Sequence, residues 1–312
     1  MSALRFGLLG TGYWALHAHG PALVASPHAE LVGVWGRDPF RAAQAARQLG
    51  ATSYKSPADL FAAVDAVAFA LPPDVQASLA LEAARAGLHL LLEKPLSLDL
   101  RAAEALVKAV DEARVATVVF FTQRFNPASE AWLSEAAQDG PWHSGHLVHY
   151  ANIFQPGNAF GASPWRKARG ALWDIGPHAL SLVLPVMGPV SSVAARRGPV
   201  GSDTVHLVLA HGGPSGSPAA GTPVAVSTVS VSLTVPPAAT ANMLSLYGEK
   251  GVRTRPDNPY STEDALAGAI HDLSEMVSTG QRAHRCDVRF GLEVVRALAA
   301  AERALDLPGA EL

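Results

Sequence analysis

Two side chains that could move a proton stand close together in the second half of the chain. Asp174 and His178 are four residues apart, so a helical segment would place both on one face. Pro177 lies between them, and it either fits the first turn of a helix or kinks an interior turn by removing an N–H group. An imidazole exchanges protons near neutral pH, and a carboxylate can orient it or bind a hydroxyl group. Taken alone, the pair could equally be a hydrogen-bonded core histidine and a helix cap.

A glycine-rich turn near the N-terminus predicts a dinucleotide site. Gly10, Gly12 and Ala15 have the G-x-G-x-x-A spacing, directly after an apolar strand that starts at Leu4 and at the beginning of a helix. The first glycine permits a tight turn, the second lets a diphosphate approach the backbone, and the alanine lets the helix pack closely on the strand. The N–H groups at the start of that helix would bind the diphosphate. The predicted cofactor contacts in this turn are Gly10, Thr11, Gly12, Tyr13 and Trp14.

The end of the second strand, after Trp35, indicates which nicotinamide cofactor the site prefers. An acidic residue there would hold the ribose 2′-hydroxyl of NAD, whereas an arginine accommodates the 2′-phosphate of NADP. Gly36 and Arg37 follow the strand, and Asp38 comes later, where its other role is to cap the helix starting near Pro39. The sequence therefore favours NADP(H) over NAD(H), although Arg37 could stack on adenine with either cofactor.

The elements that must position these residues fall into two groups. Residues 1–122 alternate short apolar strands with helices, which is typical of a parallel sheet covered on both faces. We therefore predict an α/β Rossmann domain with a doubly wound parallel sheet over residues 1–122. Leu71 and Pro72 follow one of these strands at its carboxyl end, where open α/β sheets bind ligands, and we predict that they lie along the cofactor.

Residues 123–312 have a different pattern, in which a helix after Pro127 is followed by strands with short, turn-rich connections. The predicted strands are His146–Phe154, Val190–Ala195, Val205–Ala210, Val224–Val235 and Asn242–Tyr247. This pattern predicts an α+β domain with a large, mostly antiparallel open sheet. We predict a mobile hairpin loop at His211–Thr222 and two closing helices at Thr262–Gly280 and Asp287–Leu305.

Composition excludes several classes of protein. Charged residues make up 16% of the 312 residues and the net charge is -3, so the chain has no electrostatic signature for binding nucleic acid or an acidic membrane. The single cysteine, Cys286, excludes an internal disulfide and a thiolate metal cluster. No apolar run reaches membrane-spanning length, and the first strand begins too early to leave room for a signal peptide. A cytoplasmic location is therefore expected.

The remaining histidines give no indication of a metal site. His146 and His149 are three residues apart in a predicted strand, so they point to opposite faces and cannot form a simple metal-binding pair. His17 and His19 flank the middle of the first helix, and we expect both to be solvated. No metal is therefore expected.

The strand at Leu88–Leu92 ends in Glu93-Lys94-Pro95, and with this motif the chain resembles the Gfo/Idh/MocA oxidoreductases, the family of glucose–fructose oxidoreductase and inositol dehydrogenase. The resemblance covers nearly the whole chain. The motifs that carry it are the glycine turn, Ala86-Gly87-Leu88-His89, Glu93-Lys94-Pro95, Gln123-Arg124-Phe125-Asn126-Pro127, Trp165-Arg166, Gly170-Ala171-Leu172-Trp173-Asp174-Ile175-Gly176-Pro177-His178 and Cys286-Asp287-Val288-Arg289-Phe290-Gly291-Leu292-Glu293. The chain departs from the family pattern at Arg169, where a further glycine is frequent, and shortly after His178, where an acidic residue is missing.

The resemblance implies an NAD(P)-dependent dehydrogenase or reductase whose active site lies where the two domains meet. Lys94, Asp174 and His178 would surround the reacting carbon of the substrate, and Pro95 would follow a cis peptide bond that fixes the direction of the lysine. We expect His178 to act as acid/base, Lys94 to donate to the reacting oxygen, and Asp174 to orient His178 or a neighbouring hydroxyl. Glu93 and Lys94 would also contact the cofactor.

The implied substrates are sugars, inositols and related polyols. Residues implied as pocket or cofactor contacts are Arg124, Asn126, Trp165 and Arg166. The sheet of the substrate domain, residues 123–312, would pair with a second copy to form a homodimer or homotetramer. Two alternatives stay open, namely a non-catalytic nucleotide-sensing regulator and an NAD-dependent glycosidase that retains its cofactor. The intact set of a lysine, an aspartate and a histidine argues against a pure sensor.

Overall fold

The computed structural model describes residues 3–155, 157–158, 160–212 and 225–307. The chain forms two compact units, one of Met1–Asn126 with Tyr260–Leu292 and the other of Pro127–Pro259 with Glu293–Leu312. The domain boundary after Thr122 stays a prediction. Within the described residues, no helix combines the length and apolar character that a membrane crossing needs.

The first unit is built on a six-stranded sheet in which all strands run parallel. Its strands are β1 (Leu4–Leu9), β2 (Ala29–Trp35), β3 (Thr52–Ser53), β4 (Ala66–Phe69), β5 (His89–Glu93) and β6 (Thr117–Phe120). Their order is β3-β2-β1-β4-β5-β6, so the direction in which the chain crosses the sheet reverses between β1 and β4. Every residue of β4 is buried, which accounts for its unbroken apolar sequence. The predicted doubly wound Rossmann sheet is confirmed.

Local sequence sets where the helices of this sheet begin and end. They are α1 (Gly20–Ala25), α2 (Pro39–Leu49), α3 (Pro57–Phe61), α4 (Pro73–Arg85) and α5 (Leu100–Ala113). The carboxylate of Asp38 accepts the first N–H groups of α2, which confirms its predicted role as a cap, and Gly50 ends the helix at a φ of 69°. Asp99 caps α5 through the N–H of Ala102.

The second unit contains a second six-stranded sheet. Its strands are β7 (Trp142–Tyr150), β8 (Val190–Arg197), β9 (Val205–His211), β10 (Ala225–Ser232), β11 (Ala241–Gly248) and β12 (Gly251–Thr254). Their order is β12-β11-β7-β10-β9-β8, and all neighbours are antiparallel except β7 and β10, which run parallel. The predicted mostly antiparallel sheet is confirmed.

One face of the second sheet is covered by helix and the other is exposed. Helices α6 (Pro127–Asp139), α7 (Pro164–Asp174) and α8 (Gly176–Met187) precede β8, and α8 packs on β7 and β10. The buried side chains on the covered face include Leu147, Leu207, Leu209, Val229, Val231, Leu244 and Leu246. We call the opposite side the outer face, and its residues are Ser144, His146, Val148, His206, Val208, Val226, Thr228, Ser230, Met243, Ser245 and Tyr247. His146 and His149 thus lie on opposite faces, as predicted.

Two long helices close the described chain. They are α9 (Thr262–Thr279), which belongs to the first unit and packs on α1, β5 and β6, and α10 (Val288–Leu305), which begins in the first unit and ends in the second. Both agree with the predicted closing helices to within one residue. Their amphipathic patterns are long enough to be unambiguous.

Several predicted bounds in the second unit need correction. Strand β7 begins at Trp142 and ends at Tyr150, because its pairing with the eight residues of β11 sets both ends. Helix α7 and strand β12 come from segments for which we predict no regular structure. His211 belongs to β9, and residues 213–222 of the predicted hairpin loop lie outside the described residues.

Candidate active site

The glycine turn after β1 has the backbone that a dinucleotide needs. Gly10 has a φ of 134°, and a Cβ atom there would lie 2.4 Å from the carbonyl oxygen of Ala70, so only glycine fits. At Gly12 an added Cβ atom would meet no atom within 4 Å, which leaves open space beside the start of the helix. Ala15 is fully buried. These residues fit a diphosphate group held by the helix N-terminus.

The helix that follows begins with a π turn at Ala15–His19 before it continues as α1. This turn corrects the prediction for one histidine, because His19 is fully buried, whereas His17 is exposed as predicted. The Nε2 atom of His19 lies 2.8 Å from Oε1 of Glu93. The indole N–H of Trp14 donates to the same oxygen. In a regular helix Trp14 and His19 would point in different directions, so the sequence pattern alone misses their shared contact with Glu93.

Two arginines and a carboxylate lie between the end of β2 and the first turn of α2, and the carboxylate caps that helix. Arg37 is exposed, and the carboxylate of Asp38 accepts hydrogen bonds from the backbone N–H groups of Phe40 at 2.9 Å and Arg41 at 3.2 Å. The guanidinium of Arg41 lies 3.5 Å from the carbonyl oxygen of Thr11 in the glycine turn. Arg37 thus follows the end of β2 directly, and the guanidinium of Arg41 lies beside the glycine turn.

The carboxyl ends of β4 and β5 carry the next predicted residues. Leu71 and Pro72 follow β4, and Lys94 follows β5, so they lie along the same edge of the sheet as the glycine turn. The peptide bond between Lys94 and Pro95 is cis, which confirms the expectation from the resemblance. The backbone N–H of Lys94 donates to Oε2 of Glu93 at 3.2 Å.

A buried glutamine that the sequence analysis missed holds the backbone of this motif. Gln76 of α4 is fully buried; its Oε1 accepts the N–H of Glu93 at 2.8 Å, and its Nε2 donates to the carbonyl of Glu93 at 2.8 Å. The same Nε2 lies 3.3 Å and 3.4 Å from the carbonyl oxygens of Pro95 and Leu96. A single amide in an otherwise apolar stripe of α4 is the only sequence signal for this role.

In the second unit, Asp174 lies at the end of α7 and is bound by an arginine. The Nε atom of Arg166 donates to Oδ2 of Asp174 at 2.9 Å, and Asp174 is 4% exposed. The guanidinium carbon of Arg166 stacks 4.6 Å from the ring centroid of Trp165 and 5.0 Å from that of Phe160. Three of the predicted residues, Trp165, Arg166 and Asp174, are therefore in contact.

A sharp kink within α7 sets the direction of its last turn. Gly170 has a φ of 61° and a ψ of -163°, and the N–H of Ala171 after it donates to Oδ2 of Asp203 at 3.1 Å. Arg169, which departs from the family pattern, forms an ion pair with Glu302 at 3.1 Å. Its side chain is thus held by α10, and Asp203 caps the turn that ends in Asp174.

His178 lies in the first turn of α8, directly after Pro177, so the first of the two predicted positions for that proline is confirmed. The helix pair α7 and α8 meets at Ile175, which has a φ of -106°. His178 is half-buried, and its ring centroid lies 6.2 Å from that of His149 on β7.

The predicted catalytic and pocket residues are divided between the two units. Lys94, Arg124 and Asn126 belong to the first unit, and Asp174 and His178 belong to the second. Arg124 and Asn126 are buried, and the carbonyl of Arg124 accepts a hydrogen bond from Arg285 at 3.1 Å. Among the described residues, no group of three or more histidine, cysteine, aspartate or glutamate side chains is arranged to hold a metal ion.

The chain is similar to known oxidoreductases. Residues 4–121 match the Gfo/Idh/MocA family, described as an oxidoreductase family with an NAD-binding Rossmann fold. UDP-N-acetylglucosamine 3-dehydrogenase of Acidithiobacillus ferrooxidans is 32% identical over 142 residues, which are 45% of this chain and 44% of the relative. D-xylose 1-dehydrogenase (NADP(+)) 2 of Haloferax volcanii is 32% identical over 199 residues, 62% of this chain and 60% of the relative. The matched part is thus less than two thirds of either relative's length.

The likeness in structure extends over nearly the whole chain. A solved structure of the UDP-N-acetylglucosamine 3-dehydrogenase GnnA from Acidithiobacillus ferrooxidans has a TM-score of 0.80, at 22% identity, and the match covers 98% of this chain and 99% of that one. At this identity the likeness shows the fold. Residues 4–121 therefore belong to the Gfo/Idh/MocA family of oxidoreductases and carry its NAD(P)-binding Rossmann fold, and the chain as a whole has the fold of the solved dehydrogenase.

Proposed function

We propose that the protein is an NAD(P)-dependent oxidoreductase that transfers a hydride between nicotinamide and a carbinol or carbonyl carbon of a sugar, inositol or related polyol. The observation that carries this proposal is the carboxyl edge of the first sheet. The glycine turn, Leu71 with Pro72, and Lys94 follow three adjacent strands, β1, β4 and β5, at the point where the strand order reverses. Open α/β sheets bind their ligands at such a point. The two curated relatives are named as dehydrogenases of a nucleotide sugar and of a pentose.

When bound, a nicotinamide cofactor supplies the hydride acceptor or donor. In this proposal, the N–H groups after Gly12 bind its diphosphate, because the space beside Gly12 is open and the helix N-terminus is positive. Tyr13 and Trp14 lie in the same turn, and Leu71 and Pro72 contact the cofactor further along the sheet.

We propose that NADP(H) is preferred over NAD(H). Arg37 and Arg41 supply two guanidinium groups at the end of β2, and a 2′-phosphate is a good partner for such a pair. Asp38 is the carboxylate that could hold a ribose hydroxyl instead, and it is engaged as the cap of α2. The name of the D-xylose relative includes NADP(+).

In the proposed chemistry, three side chains have separate roles in proton transfer, hydrogen bonding and orientation. His178 takes the proton from the substrate hydroxyl, or returns it in the reducing direction, because an imidazole exchanges protons near neutral pH. Lys94 donates a hydrogen bond to the reacting oxygen. Asp174, whose charge is stabilised by the guanidinium of Arg166, orients His178 or a neighbouring substrate hydroxyl. Trp165 and Arg166 then form part of the substrate pocket, as do the buried Arg124 and Asn126.

The proposal also includes a homodimer or homotetramer formed through the outer face. This face exposes Val208, Val226 and Met243 to solvent in a single copy, and it alternates them with serine, threonine and histidine. Such a mixture is suited to pairing with an identical surface. We also propose a cytoplasmic location.

The first experiment is a titration of the protein with NADPH and NADH, followed by turnover of a sugar and polyol panel. We expect tighter binding of NADPH, a net absorbance change at the nicotinamide band, and a loss of the preference in Arg37→Ala. Binding without turnover on a broad panel would favour a nucleotide sensor. Tightly retained NAD with substrate cleavage and no net cofactor change would favour a glycosidase.

The residue roles are tested in the same assay. We expect His178→Ala to lower kcat by about 10²- to 10⁴-fold, the usual contribution of a positioned acid or base, and Lys94→Ala to lower it as well. His143→Ala is the control, because His143 is an exposed histidine of the same unit. If His178→Ala keeps its turnover and only binds substrate more weakly, the acid/base role is wrong.

A further inference from the structure

The π turn brings together two side chains that a regular helix would separate. Trp14 and His19 are five residues apart, and in an α-helix such residues point about 140° away from each other. Here the N–H of Gly20 bonds to the carbonyl of Ala15, which is the wider i→i+5 pattern. A Cβ atom at Gly20 would lie 2.7 Å from that carbonyl oxygen, so glycine allows the turn to close. The wider turn places Trp14 and His19 on one side.

Both side chains bind the carboxylate of Glu93, which is 8% exposed. His19 and Trp14 approach Oε1, and the backbone N–H of Lys94 donates to Oε2. A buried carboxylate is costly unless it is hydrogen-bonded, and these contacts supply donors to both of its oxygens. The carboxylate of Glu93 is therefore bound by side chains of the turn and helix that follow the glycine motif.

The geometry of the His19 ring leaves it a single hydrogen-bonding direction. Its Nδ1 atom is buried and has no hydrogen-bond partner among the residues that the structure describes, so in the neutral ring the hydrogen belongs on Nε2. The ring packs edge-on against Phe120, with centroids 6.2 Å apart, and against Trp14 at 6.4 Å. His19 is thus fixed as a donor to Glu93.

We infer that His19 is a positioning residue that acts through Glu93 on Lys94. Gln76 holds the backbone of Glu93 on the side of α4, and His19 with Trp14 holds its carboxylate. The two attachments together fix the residue next to Lys94, and hence the start of the lysine side chain. This inference rests on the proposed function, in which Lys94 donates to the reacting oxygen.

The kinetic test compares His19→Phe with His19→Gln and with His17→Phe. Phenylalanine keeps an aromatic ring but donates no hydrogen bond, whereas glutamine restores an N–H donor. We expect His19→Phe to lower kcat by about tenfold or more, the effect of losing a hydrogen bond to a charged group, with the Kd for NADPH within about threefold of the wild type. His19→Gln should recover most of kcat. His17 is exposed two residues away, so His17→Phe should have the kcat of the wild type.

In a Glu93→Gln background, His19→Phe should lower kcat little further. A wild-type kcat in His19→Phe would overturn the inference.

A second readout needs no turnover. Hydrogen–deuterium exchange of the segment 90–94 in the cofactor-free protein reports whether the Lys94 amide keeps its acceptor. We expect faster exchange in His19→Phe and wild-type exchange in His17→Phe. If no substrate in the panel is turned over, the proposed function fails, while faster exchange still supports the positioning role and unchanged exchange overturns it. If His19→Phe does not fold, Trp14→Phe removes the other donor to Oε1 and should give the same change in exchange.

Discussion

Gln76 is the one polar residue in the buried stripe of α4, among Ala77, Ala80 and Ala83. It supplies an acceptor and donors to the backbone at the end of β5 and just beyond it, from Glu93 to Leu96. Buried backbone groups of this kind need a partner, because water cannot reach them. At the scale of single residues, this amide therefore contributes to stability and to the placement of Lys94 together.

We expect Gln76→Leu to lower the free energy of unfolding by roughly 2–4 kcal/mol. Leucine leaves the N–H and carbonyl of Glu93 without their partner, and each buried group left in this way costs about 1–3 kcal/mol. Urea denaturation measures the change. The control is Gln44→Leu, on the exposed side of α2, which should stay within about 0.5 kcal/mol of the wild type. Equal stability of the two variants would contradict this role.

His89 gives the protein a stability that depends on pH. Burial, together with the nearby charge of Arg282, lowers the pKa of His89 from 6.5 to about 4, and its Nδ1 atom accepts the N–H of Ala116 at 2.9 Å. As the pH falls from about 6.5 to about 4, the unfolded chain takes up a proton at this histidine that the folded protein does not. The free energy of unfolding should therefore decrease as the pH falls through this range. Above about pH 6.5, His89 should no longer make it dependent on pH.

Urea midpoints at pH 7.5, 6 and 5 measure this dependence. His89→Asn keeps an acceptor for Ala116 but cannot titrate, so its midpoint should fall less between pH 7.5 and pH 5 than that of the wild type. Parallel curves for the two proteins would show that His89 is not the source of the dependence.

At the scale of elements, the kink at Gly170 links the second sheet to the start of α8. Asp203 receives the N–H of Ala171 through Oδ2, and its Oδ1 accepts hydrogen bonds from Leu233 and Thr234 near the end of β10. One carboxylate thus fixes the last turn of α7, which ends in Asp174, relative to a strand of the same unit.

We expect Asp203→Ala to destabilise the protein by about 2 kcal/mol or more, because several donors lose one shared acceptor. Turnover should fall as well, since Asp174 follows the freed turn. Thermal denaturation and kcat measure the two effects, and Asp306→Ala, an exposed substitution at the end of α10, is the matched control. A variant with wild-type kcat would show that the cap serves stability alone.

Sequence predicted the local structure around the candidate site. The glycine turn, the strand ends at Leu71 and Lys94, and most helix bounds follow from spacing, caps and unbroken apolar runs. His19, Gln76 and Asp203 could not be predicted in this way, because their partners lie 74, 17 and 32 residues away along the chain. His19 is buried instead of solvated because its ring binds Glu93, a partner that its place along the chain does not reveal.

At the scale of the whole molecule, the proposed pairing of copies through the outer face can be tested. Val226 and Met243 lie on β10 and β11, on either side of β7, and both are exposed in a single copy. Buried carboxylates without partners would oppose pairing at this face. We therefore expect Val226→Glu with Met243→Glu to give folded monomers.

Light scattering coupled to size exclusion measures the mass of each variant. Val200→Glu is the control, because Val200 is exposed in the same unit but lies outside the sheet. It should keep the oligomeric state of the wild type. The proposed interface at the outer face would be contradicted if the wild-type protein is a monomer, or if the double variant has the same mass in solution as an oligomeric wild type.

The five-residue turn at Ala15–His19 also affects how this chain is compared with its relatives. A π turn holds one residue more than an α turn, so a relative with a regular helix at this place is one residue shorter between the glycine turn and α1. An alignment without a gap there would pair His19 with the wrong position. The residue that fills the same place in such a relative should be sought one position nearer to its glycines.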